Sequence, residues 1–326
     1  MCKKILFCYP INEMKASFVR RDVDLLVKYF KVTELYYDSR DKLFFWRVIK
    51  HLYNKDVCFA WFGGKYVFEL WLACKLLGKS LIIVAGGYDV AYQPEIKYGL
   101  KYEKAGWRRV YFAFRHANKV LAVSKWTQEV LRLNCRAVKN VEVLYHGFDG
   151  AAFHASEKKN NTVLLVGYVN WPKIEIKGMI TFIKAAAKLP ETIFVLAGGG
   201  NDGALEYLRS IATSNVRLLG SLQNEEIVKT MGKAKVYVQI SYVESFGCAL
   251  AEAMLCECVP VVTRRGALPE VAGEAAFYTE YGDVDGTVEA IKKALVCQDG
   301  AKFRERIMRE FPIEAREKYL RSLITG

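Results

Sequence analysis

The segment SYVESFGCALAEAML, residues 241–255, carries two glutamates in a sequence of mostly apolar and small residues. It overlaps the end of the strand-like run KVYVQIS, and Gly247 permits a tight turn into the helical pattern CALAEAMLCE. The first amides of a helix have no partner within the helix itself. The backbone of Ser245 to Cys248 therefore predicts a site for an anion such as a diphosphate.

The two glutamates of this segment have different predicted surroundings. Glu252 lies about one turn inside the helix, where an unpaired carboxylate would cost several kcal/mol. The hydroxyl pair of a ribose would provide partners for it, and Glu244, in the loop, could accept hydrogen bonds from sugar hydroxyls. The alternative is that Glu252 faces solvent and Glu244 is an ordinary loop acid, because two glutamates at this spacing are common by chance.

Short apolar runs alternate with longer amphipathic segments on both sides of residues 241–255. The strand-like runs are KKILFCY, KVTELYY, VCFAWF, SLIIVAGG, KVLAVS and VEVLYHG in the first half, and NTVLLVGYV, TIFVLAGGG, NVRLLGS, KVYVQIS and VPVVTRR in the second. Segments such as FVRRDVDLLVKYF and GMITFIKAAAKL have the spacing of helices. This alternation predicts parallel sheets with helices on both faces.

The length of 326 residues suits two domains of about 150 residues each. The polar stretch His154–Asn161 is the best linker candidate, so we expect an N-terminal domain over residues 1–155 and a C-terminal domain over 156–326. The last helix, about residues 312–324, is expected to pack back on the N-terminal domain. Both domains are predicted as Rossmann-like, doubly wound α/β sheets that face each other across a cleft.

The net charge of +13 is concentrated in the first half. Residues 1–150 contain 26 Lys and Arg against 14 Asp and Glu, whereas residues 151–326 contain 22 against 21. A basic half favours an anionic partner, which could be a membrane surface, a nucleic acid or a phosphorylated acceptor.

The remaining composition favours a reduced, soluble protein. Nine scattered cysteines without a C-x-x-C pair suit buried thiols better than disulfides or metal ligands. The sequence shows no secretory signal and no apolar run of about 18 residues, which predicts a cytoplasmic location, at most peripheral on the inner face of a membrane.

ESFGCALAEAMLCECVPVV, residues 244–262, resembles the E-x7-E signature of the large retaining glycosyltransferase family of GT-B fold called family 4. The usual form is E-x-F-G-x-x-x-x-E-A-M-A-x-G-x-P-V-V. With one extra residue between Met254 and Cys258, the chain matches it at Glu244, Phe246, Gly247, Glu252, Ala253, Met254, Pro260, Val261 and Val262. It departs at Cys258, where glycine is usual. The resemblance continues through RRGALPEVAGEAAFYTEYGD and extends more loosely to AGGYDV, LAVS and LYHGFD in the first half.

The resemblance implies a nucleoside-diphosphate sugar as co-substrate. Glu252 would hold its ribose, Glu244 would contact the donor sugar, and the amides of Phe246 and Gly247 would hold sugar or phosphate. Lys177, in IKGMITF, fits the family's diphosphate-binding lysine. Glu244 and Lys177 are therefore predicted as catalytic.

A second phosphate-binding cation is harder to assign. Tyr168 stands where the family has an arginine, and Lys173 is the candidate substitute, with a solvated loop charge as the alternative. The other predicted donor-binding residues are Ser245, Cys248, Gly167, Gly198, Gly220 and Ser221, the last two near the base.

Lysines and helix-end amides suit glycosyl transfer, because the departing nucleoside diphosphate gains negative charge as the bond breaks. Other glycosyltransferases hold a divalent metal with Asp-x-Asp, which occurs here at Asp22–Asp24 and Asp283–Asp285. The first lies in a helical pattern and the second starts one, so both are interpreted as surface acids. We expect no metal, no cofactor and no protein nucleophile, since the resemblance implies same-face attack.

The acceptor side is predicted in the first half. Gly86 and Gly87 follow the strand SLIIVA and allow close approach of the backbone to a ligand. Many family members keep a histidine near this strand end, and this chain has none there. Asp89, predicted as catalytic, and Ser124 and Lys125 are the acceptor-side candidates. His146, in LYHGFD, is interpreted as structural.

The stretch Lys97–His116, KYGLKYEKAGWRRVYFAFRH, interleaves cations with aromatic residues. One interpretation is peripheral contact with an anionic membrane. The other is a helix with its aromatic residues in the core and its cations in water. No nucleic-acid partner is expected, because no binding motif is recognisable.

The expected function is transfer of a hexose-type sugar to a glycan, lipid-linked or other hydroxyl acceptor. A sugar-nucleotide epimerase of the same architecture is the first alternative. A dinucleotide-dependent oxidoreductase is the second, because GGGNDG, Gly198–Gly203, matches G-x-G-x-x-G. That match follows the second strand of its domain, and no acid ends the next strand, VRLLG. A non-catalytic binding protein would be expected to lose Glu244, Glu252 or Lys177.

Overall fold

The computed structural model describes residues 2–14, 16–102 and 106–326. Its contacts divide the chain into two units, one of Met1–Gly147 with Ile313–Gly326 and one of Phe148–Pro312. The division falls after Gly147 and not after residue 155, because the intervening stretch is hydrogen-bonded within the second unit. Phe148 donates its amide to Phe311 O at 2.9 Å, and Ser156 donates its amide to Gly232 O at 3.0 Å.

In the described residues, the first unit has a six-stranded sheet of order β2-β1-β3-β4-β5-β6, with all neighbours parallel. The strands are β1 (Lys4–Pro10), β2 (Lys31–Tyr37), β3 (Val57–Trp61), β4 (Ser80–Ala85), β5 (Lys119–Ala122) and β6 (Val141–Val143). The helices are α1 (Ser17–Val27), α2 (Phe44–Leu52), α3 (Val67–Leu77), α4 (Trp107–His116), α5 (Lys125–Asn134) and, from the end of the chain, α14 (Ile313–Thr325).

The second unit has a six-stranded parallel sheet of order β12-β11-β10-β7-β8-β9. Its strands are β7 (Asn160–Val166), β8 (Ile193–Ala197), β9 (Val216–Gly220), β10 (Ala234–Gln239), β11 (Val259–Thr263) and β12 (Phe277–Thr279). Its helices are α6 (Trp171–Ile176), α7 (Met179–Ala187), α8 (Ala204–Ile211), α9 (Asn224–Lys233), α10 (Cys248–Leu255), α11 (Leu268–Ala272), α12 (Val284–Val296) and α13 (Ala301–Glu310).

The parallel α/β architecture predicted from the alternating pattern is confirmed in both units. β3 and β11 are buried at every residue, as expected where helices cover both faces of a parallel sheet. The edge strand β9, VRLLG, has no fully buried residue. The strand-like runs did not include β12, a strand of three residues.

The helix α14 is joined to α1 by a buried ion pair. Arg316 donates from Nε and Nη2 to the two oxygens of Asp22, at 2.6 and 2.7 Å, and the two side chains are 2% and 0% exposed. Arg316 also donates to the carbonyl oxygens of Leu144 and Tyr145, and Trp61 Nε1 donates to Asp22. The interpretation of Asp22 as a surface acid was therefore wrong. Asp22 lies on the buried side of α1. The buried Arg316, which is 294 residues later in the sequence, neutralises its charge.

None of the helices in residues 2–14, 16–102 and 106–326 combines the length and the apolar character that crossing a bilayer requires.

Candidate functional site

The site residues predicted in the second half lie at the switch point of the sheet. From β7, the strands β8 and β9 follow on one side, and β10, β11 and β12 follow on the other side. β7 and β10 are neighbours in the sheet, although β8 and β9 separate them in sequence. Such a switch point leaves a crevice beyond the carboxyl ends of the two strands. The loops that follow β7 and β10 meet there, because Tyr242 donates its amide to Ile176 O at 2.7 Å.

Lys177 and Glu244 form an ion pair at this switch point. Lys177 Nζ lies 3.0 Å from Glu244 Oε2, and each side chain is 20% exposed. Gln239 Nε2 donates to the same carboxylate oxygen at 2.7 Å, and Ser241 Oγ lies 3.5 Å from it. The fold thus brings together the two residues predicted as catalytic in the second half, in a partly open position that a ligand can reach.

Local backbone geometry explains why the lysine precedes a glycine. α6 ends at Ile176, and the amide of Lys177 donates to Lys173 O at 2.9 Å. Gly178 has φ of 64°, and a Cβ at this position would lie 2.6 Å from Ile240 O. Only glycine combines this conformation with so close an approach. The Lys-Gly sequence therefore holds the ammonium against the loop that follows β10.

The charge of Glu244 is stabilised by its neighbours. Burial raises the pKa of Glu244, but the Lys177 ammonium, the Lys173 ammonium and the Gln239 amide together outweigh it and leave the pKa below its ordinary value. Lys173 lies in the first turn of α6, where Asn170 Oδ1 accepts its amide at 2.9 Å. Lys173 therefore contributes positive charge near Glu244, and its role as the second phosphate-binding cation stays a prediction.

The helix α10 begins beside this pair. Gly247 is its N-cap, and a Cβ there would lie 3.6 Å from Glu244 Cγ. Cys248 is the first helical residue. The ring of Phe246 is 2% exposed and packs on Phe148 and Phe311, with centroids 5.9 and 5.2 Å away. Phe246 thus anchors the turn, and only its backbone is placed to serve a ligand.

Glu252 lies half-buried on α10. The pKa of Tyr237 is raised well above its ordinary value, first by burial and then by the negative charges of Glu244 and Glu252. Tyr237 Oη lies 3.5 Å from Val166 O, at the end of β7. Both glutamates of the E-x7-E pattern therefore act on the same buried phenol.

A slot next to the switch point collects the glycines predicted to bind the donor. Gly167, Gly198 and Ser221 line a cavity of about 190 Å³ at the carboxyl ends of β7, β8 and β9. Gly198 donates its amide to Gly220 O at 2.8 Å, and a Cβ at Gly198 would lie 1.8 Å from Gly167 O. The glycine therefore allows two loops to touch beside a narrow slot that Leu222 and Ile227 also line.

The segment Gly198–Gly203 joins β8 to α8, and its first glycines form part of that slot. Val169 donates its amide to Gly199 O at 2.9 Å, so this segment is tied to the loop after β7. Its match to G-x-G-x-x-G is thus explained by packing between neighbouring loops. The exposed Tyr168, in the position of the missing arginine, donates its hydroxyl to Asn201 Oδ1 at 3.2 Å.

The first-half candidate Asp89 is held by backbone. Its carboxylate accepts the amides of Gly63 at 2.6 Å, Gly86 at 3.2 Å and Gly87 at 2.7 Å, and the residue is 3% exposed. Burial raises the pKa of Asp89 despite these donors. These contacts fix the loops after β3 and β4. The catalytic role of Asp89 stays a prediction, and its contacts are those of a residue that organises backbone.

Ser124 and Lys125, two other first-half candidates, follow β5, the strand next to β4. Ser124 is buried and caps α5, accepting the amide of Thr127 at 3.0 Å, whereas Lys125 is exposed. His146 is buried, with its ring 5.8 Å from Trp61 and nearly parallel to it. Burial lowers the pKa of His146 well below its ordinary value, and Arg316 and Arg21 add to this effect. Its surroundings are those of a neutral core residue.

The basic stretch 97–116 contains α4 only from Trp107 onward, and residues 103–105 lie outside the described residues. Tyr111 and Phe114 are 1% exposed and belong to the core, while Arg108 and Arg109 are exposed. This arrangement favours the helix with buried aromatic residues over the membrane element predicted from the same stretch.

All nine cysteines are free thiols, and six of them are buried. No group of three or more His, Cys, Asp or Glu in the part of the chain that the structure describes could hold a metal ion. Asp283 caps α12 through the amide of Gly286.

Sequence reasoning missed Gln239, Tyr237 and Asn170. Gln239 and Tyr237 lie within β10, where polar groups among apolar neighbours were the available signal. Asn170 precedes Trp171-Pro172, and an asparagine before proline at a helix start is a recognisable N-cap pattern.

Comparison with known proteins gives a consistent result. The model of the family described as "Glycosyl transferases group 1" matches residues 150–310. The phosphatidylinositol N-acetylglucosaminyltransferase GPI3 subunit of Saccharomyces cerevisiae is 30% identical over 117 residues, which are 34% of this chain and 26% of that protein. The chain thus matches about a quarter of the length of this relative.

Two further similarities extend over most of the chain. N-acetyl-alpha-D-glucosaminyl L-malate synthase of Bacillus anthracis is 23% identical over 291 residues, covering 80% of this chain and 72% of that protein. The crystal structure of Anabaena Alr3699/HepE in complex with UDP and glucose has a TM-score of 0.80, with 17% identity and 99% of both chains covered. This last likeness concerns the fold, which is of the GT-B type. The family match includes every site residue of the second unit, and residues 150–310 of the chain belong to the glycosyl transferases group 1 family.

Proposed function

We propose that this chain is a retaining, metal-independent glycosyltransferase that moves a hexose-type sugar from a nucleoside-diphosphate sugar to a hydroxyl acceptor. The observation that carries the proposal is the Lys177–Glu244 pair, at the switch point of a parallel sheet and beside the start of α10. The pair offers a cation for a diphosphate and a carboxylate for sugar hydroxyls within one crevice.

The positive groups of the site suit a leaving group that becomes more negative. Lys177, Lys173 and the N-terminal end of α10 would stabilise the departing diphosphate more strongly in the transition state than in the bound donor. These fixed charges supply the role that a divalent metal has in other glycosyltransferases, which supports a metal-independent reaction. Glu244 would orient the donor sugar, and its lowered pKa keeps it an acceptor of hydrogen bonds at neutral pH.

The nucleotide would lie along the switch point with its base in the slot of Gly167, Gly198 and Ser221. Glu252, half-buried on α10, would accept hydrogen bonds from the ribose hydroxyls. A cavity of about 190 Å³ suits a planar base whose polar edge is met by backbone groups. The complex of the Anabaena protein with UDP supports uridine as the base of the donor.

The names of two relatives support the substrate class. The yeast and Bacillus anthracis relatives both have N-acetylglucosaminyl in their names, which favours a hexose derivative as the donor sugar. The yeast name includes phosphatidylinositol, a lipid-borne hydroxyl acceptor. A glycan or a lipid-linked alcohol is therefore the acceptor class to examine first. Same-face attack by the acceptor would retain the configuration without a protein nucleophile.

The first test is a thermal-shift panel of uridine, UDP, GDP and UDP-sugars with the wild-type chain and Glu252→Ala. A ligand specific to the folded state raises the unfolding temperature by mass action, so UDP should stabilise the wild type most among the nucleotides. Glu252→Ala should keep its unfolding temperature without ligand and lose the shift with uridine and UDP. An equal shift in both proteins would remove the basis of the site.

The second test separates a transferase from an epimerase. The chain is incubated with the UDP-sugar that stabilises it, with and without a panel of lipid-linked and glycan alcohols. A transferase releases UDP and forms a glycoside only when an acceptor is present. Conversion of the UDP-sugar into its epimer without any acceptor would overturn the proposal.

A further inference from the structure

The helix α2 exposes a row of large apolar side chains to solvent. Leu43, Trp46 and Tyr53 are 64%, 66% and 74% exposed. The opposite side of the helix is anchored in the core, with 1% exposure at Phe44 and none at Val48 and Leu52. The exposed side chains are thus held on a fixed helix, and their exposure does not reflect a loosely packed segment.

These side chains form one stripe. At about 100° per residue, Leu43, Trp46, Lys50 and Tyr53 fall within an arc of about 80°. We call these four residues the α2 face. Large apolar side chains seldom remain this exposed side by side on a soluble surface without a partner, and three of them in one stripe indicate a docking surface.

The charges around the α2 face are positive. Two acids that precede α2 are each held by an arginine, since Arg40 binds Asp38 and Arg47 binds Asp41, both at 2.6 Å. Lys42 and Lys50 are exposed and add positive charge beside Trp46. His51 reports this field, because burial first, and then the charges of Lys50, Arg47 and Lys55, lower its pKa.

We propose that the α2 face docks this chain on the surface of an anionic lipid bilayer. Tryptophan and tyrosine suit the headgroup region, because their rings are apolar and each keeps a polar group that can stay hydrated. Lysines within the same stripe reach anionic headgroups while the apolar side chains insert. A short helix of this kind lies in the plane of the interface.

The same charges argue against a second copy of the chain as the occupant. A twofold contact through the α2 face would place the Lys42 and Lys50 side chains of one copy near those of the other, while Asp38 and Asp41 are already paired with arginines. An anionic lipid bilayer can bind the lysines through its headgroups and can also take up the apolar side chains.

The α2 face differs from the basic stretch 97–116 in its aromatic residues. In α4, Tyr111 and Phe114 belong to the core, and the half-buried Trp107 carries Lys101 and Arg108 over its ring. The stretch has the charges for a membrane contact but exposes few apolar groups. The two surfaces therefore give different expectations for the same experiment.

The experiment is co-sedimentation of the full chain with vesicles of phosphatidylcholine alone and of phosphatidylcholine with phosphatidylglycerol. We expect the wild type to sediment with the anionic vesicles. Trp46→Ala combined with Tyr53→Ala should weaken the partition coefficient by about tenfold or more, since both apolar anchors are lost. The matched control, Leu133→Ala with Val296→Ala, removes two side chains that are each 74% exposed elsewhere and should bind like the wild type.

Two charge-reversal variants locate the electrostatic contact. Lys42→Glu with Lys50→Glu should abolish the preference for anionic vesicles, whereas Arg108→Glu with Arg109→Glu should leave most of it. The proposal is overturned if the wild type does not bind anionic vesicles, if the α2 aromatic variant binds like the wild type, or if only the Arg108 and Arg109 variant loses binding.

Sedimentation velocity of the same proteins without lipid tests whether the α2 face binds a second copy of the chain instead of a membrane. The wild type should stay monomeric, and an oligomer that Trp46→Ala with Tyr53→Ala dissolves would assign the α2 face to self-association instead. All variants should keep the wild-type thermal shift with UDP, because the α2 face is remote from the switch point in sequence and lies in the other unit. Failure of the membrane contact is thus distinguishable from failure of the donor site.

Discussion

The replacement Lys177→Ala is expected to weaken the binding of UDP and to leave the binding of uridine nearly unchanged. Lys177 is the cation nearest to Glu244, with 3.0 Å between Nζ and Oε2, and it is the residue assigned to the diphosphate. In the proposed site, uridine would contact the slot and Glu252 without a phosphate group, so its affinity should not depend on this ammonium.

The expected magnitude follows from the charge and its surroundings. An ammonium about 4 Å from a phosphate oxygen gives about 4 kcal/mol of gross attraction at an effective dielectric constant of about 20. Glu244 already holds this ammonium, and the side chain is 20% exposed, so part of the attraction is offset. A hydrogen bond to a charged group contributes about 1.5–3 kcal/mol net, which weakens UDP roughly ten- to a hundredfold when it is lost.

Isothermal titration calorimetry of UDP and uridine, with the wild type and Lys177→Ala, measures both affinities. Lys184→Ala, on the exposed side of α7, is the matched control and should bind UDP like the wild type. The reasoning is refuted if Lys177→Ala binds UDP as tightly as the wild type. It is equally refuted if uridine and UDP lose affinity by the same factor, because the lysine would then support the fold of the site and not the diphosphate.

Three further predictions concern the slot, the acid pair and α14. Gly198→Ala should abolish the thermal shift with uridine and lower the free energy of unfolding by about 1–3 kcal/mol, because its Cβ would lie 1.8 Å from Gly167 O. A retained thermal shift would show that the base binds elsewhere. Because the pKa of Glu244 is lowered, its charge stabilises the fold above the ordinary glutamate pKa of about 4.3, and this contribution is lost as the pH falls through the lowered value. Unfolding temperatures measured from neutral to acidic pH should therefore fall less for Glu244→Gln than for the wild type, and parallel curves would contradict this. Arg316→Met should cost about 3–5 kcal/mol in urea unfolding, because it leaves the Asp22 carboxylate buried without its cation, whereas the exposed Arg321→Met should change little; equal stabilities would show that the pair contributes nothing.

Much of the fold could be predicted from local patterns. Every strand-like run of the first half is a strand in the structure. A strand such as β4, SLIIVA, is buried on both faces, so its sequence is continuously apolar and does not alternate between apolar and polar residues. The E-x7-E segment also gave the turn at Gly247 and the helix α10 within about two residues. These features depend on neighbours in sequence, so the sequence itself records them.

Asp22 and Asp89 show where local patterns were insufficient. Asp22 lies in an amphipathic helix among charged residues, and only the return of α14 places Arg316 against it. Asp89 follows a glycine pair and was interpreted as a ligand-facing acid, whereas its partners include Gly63, from the loop after another strand. Arg316, which neutralises Asp22, and Gly63, one of the three amide donors to Asp89, are both distant in sequence from the carboxylates that they bind.

The order of residues by itself determined two parallel α/β units, the glycines at close approaches and the chemical kinds of group in the site. Tertiary structure decided which of those groups meet. Lys177 and Glu244 are 67 positions apart, and they pair only because β7 and β10 become neighbours when the chain crosses back over its own sheet. The physical reason is that burial and charge pairing depend on distance in space, whereas periodicity and turn chemistry depend on distance along the chain.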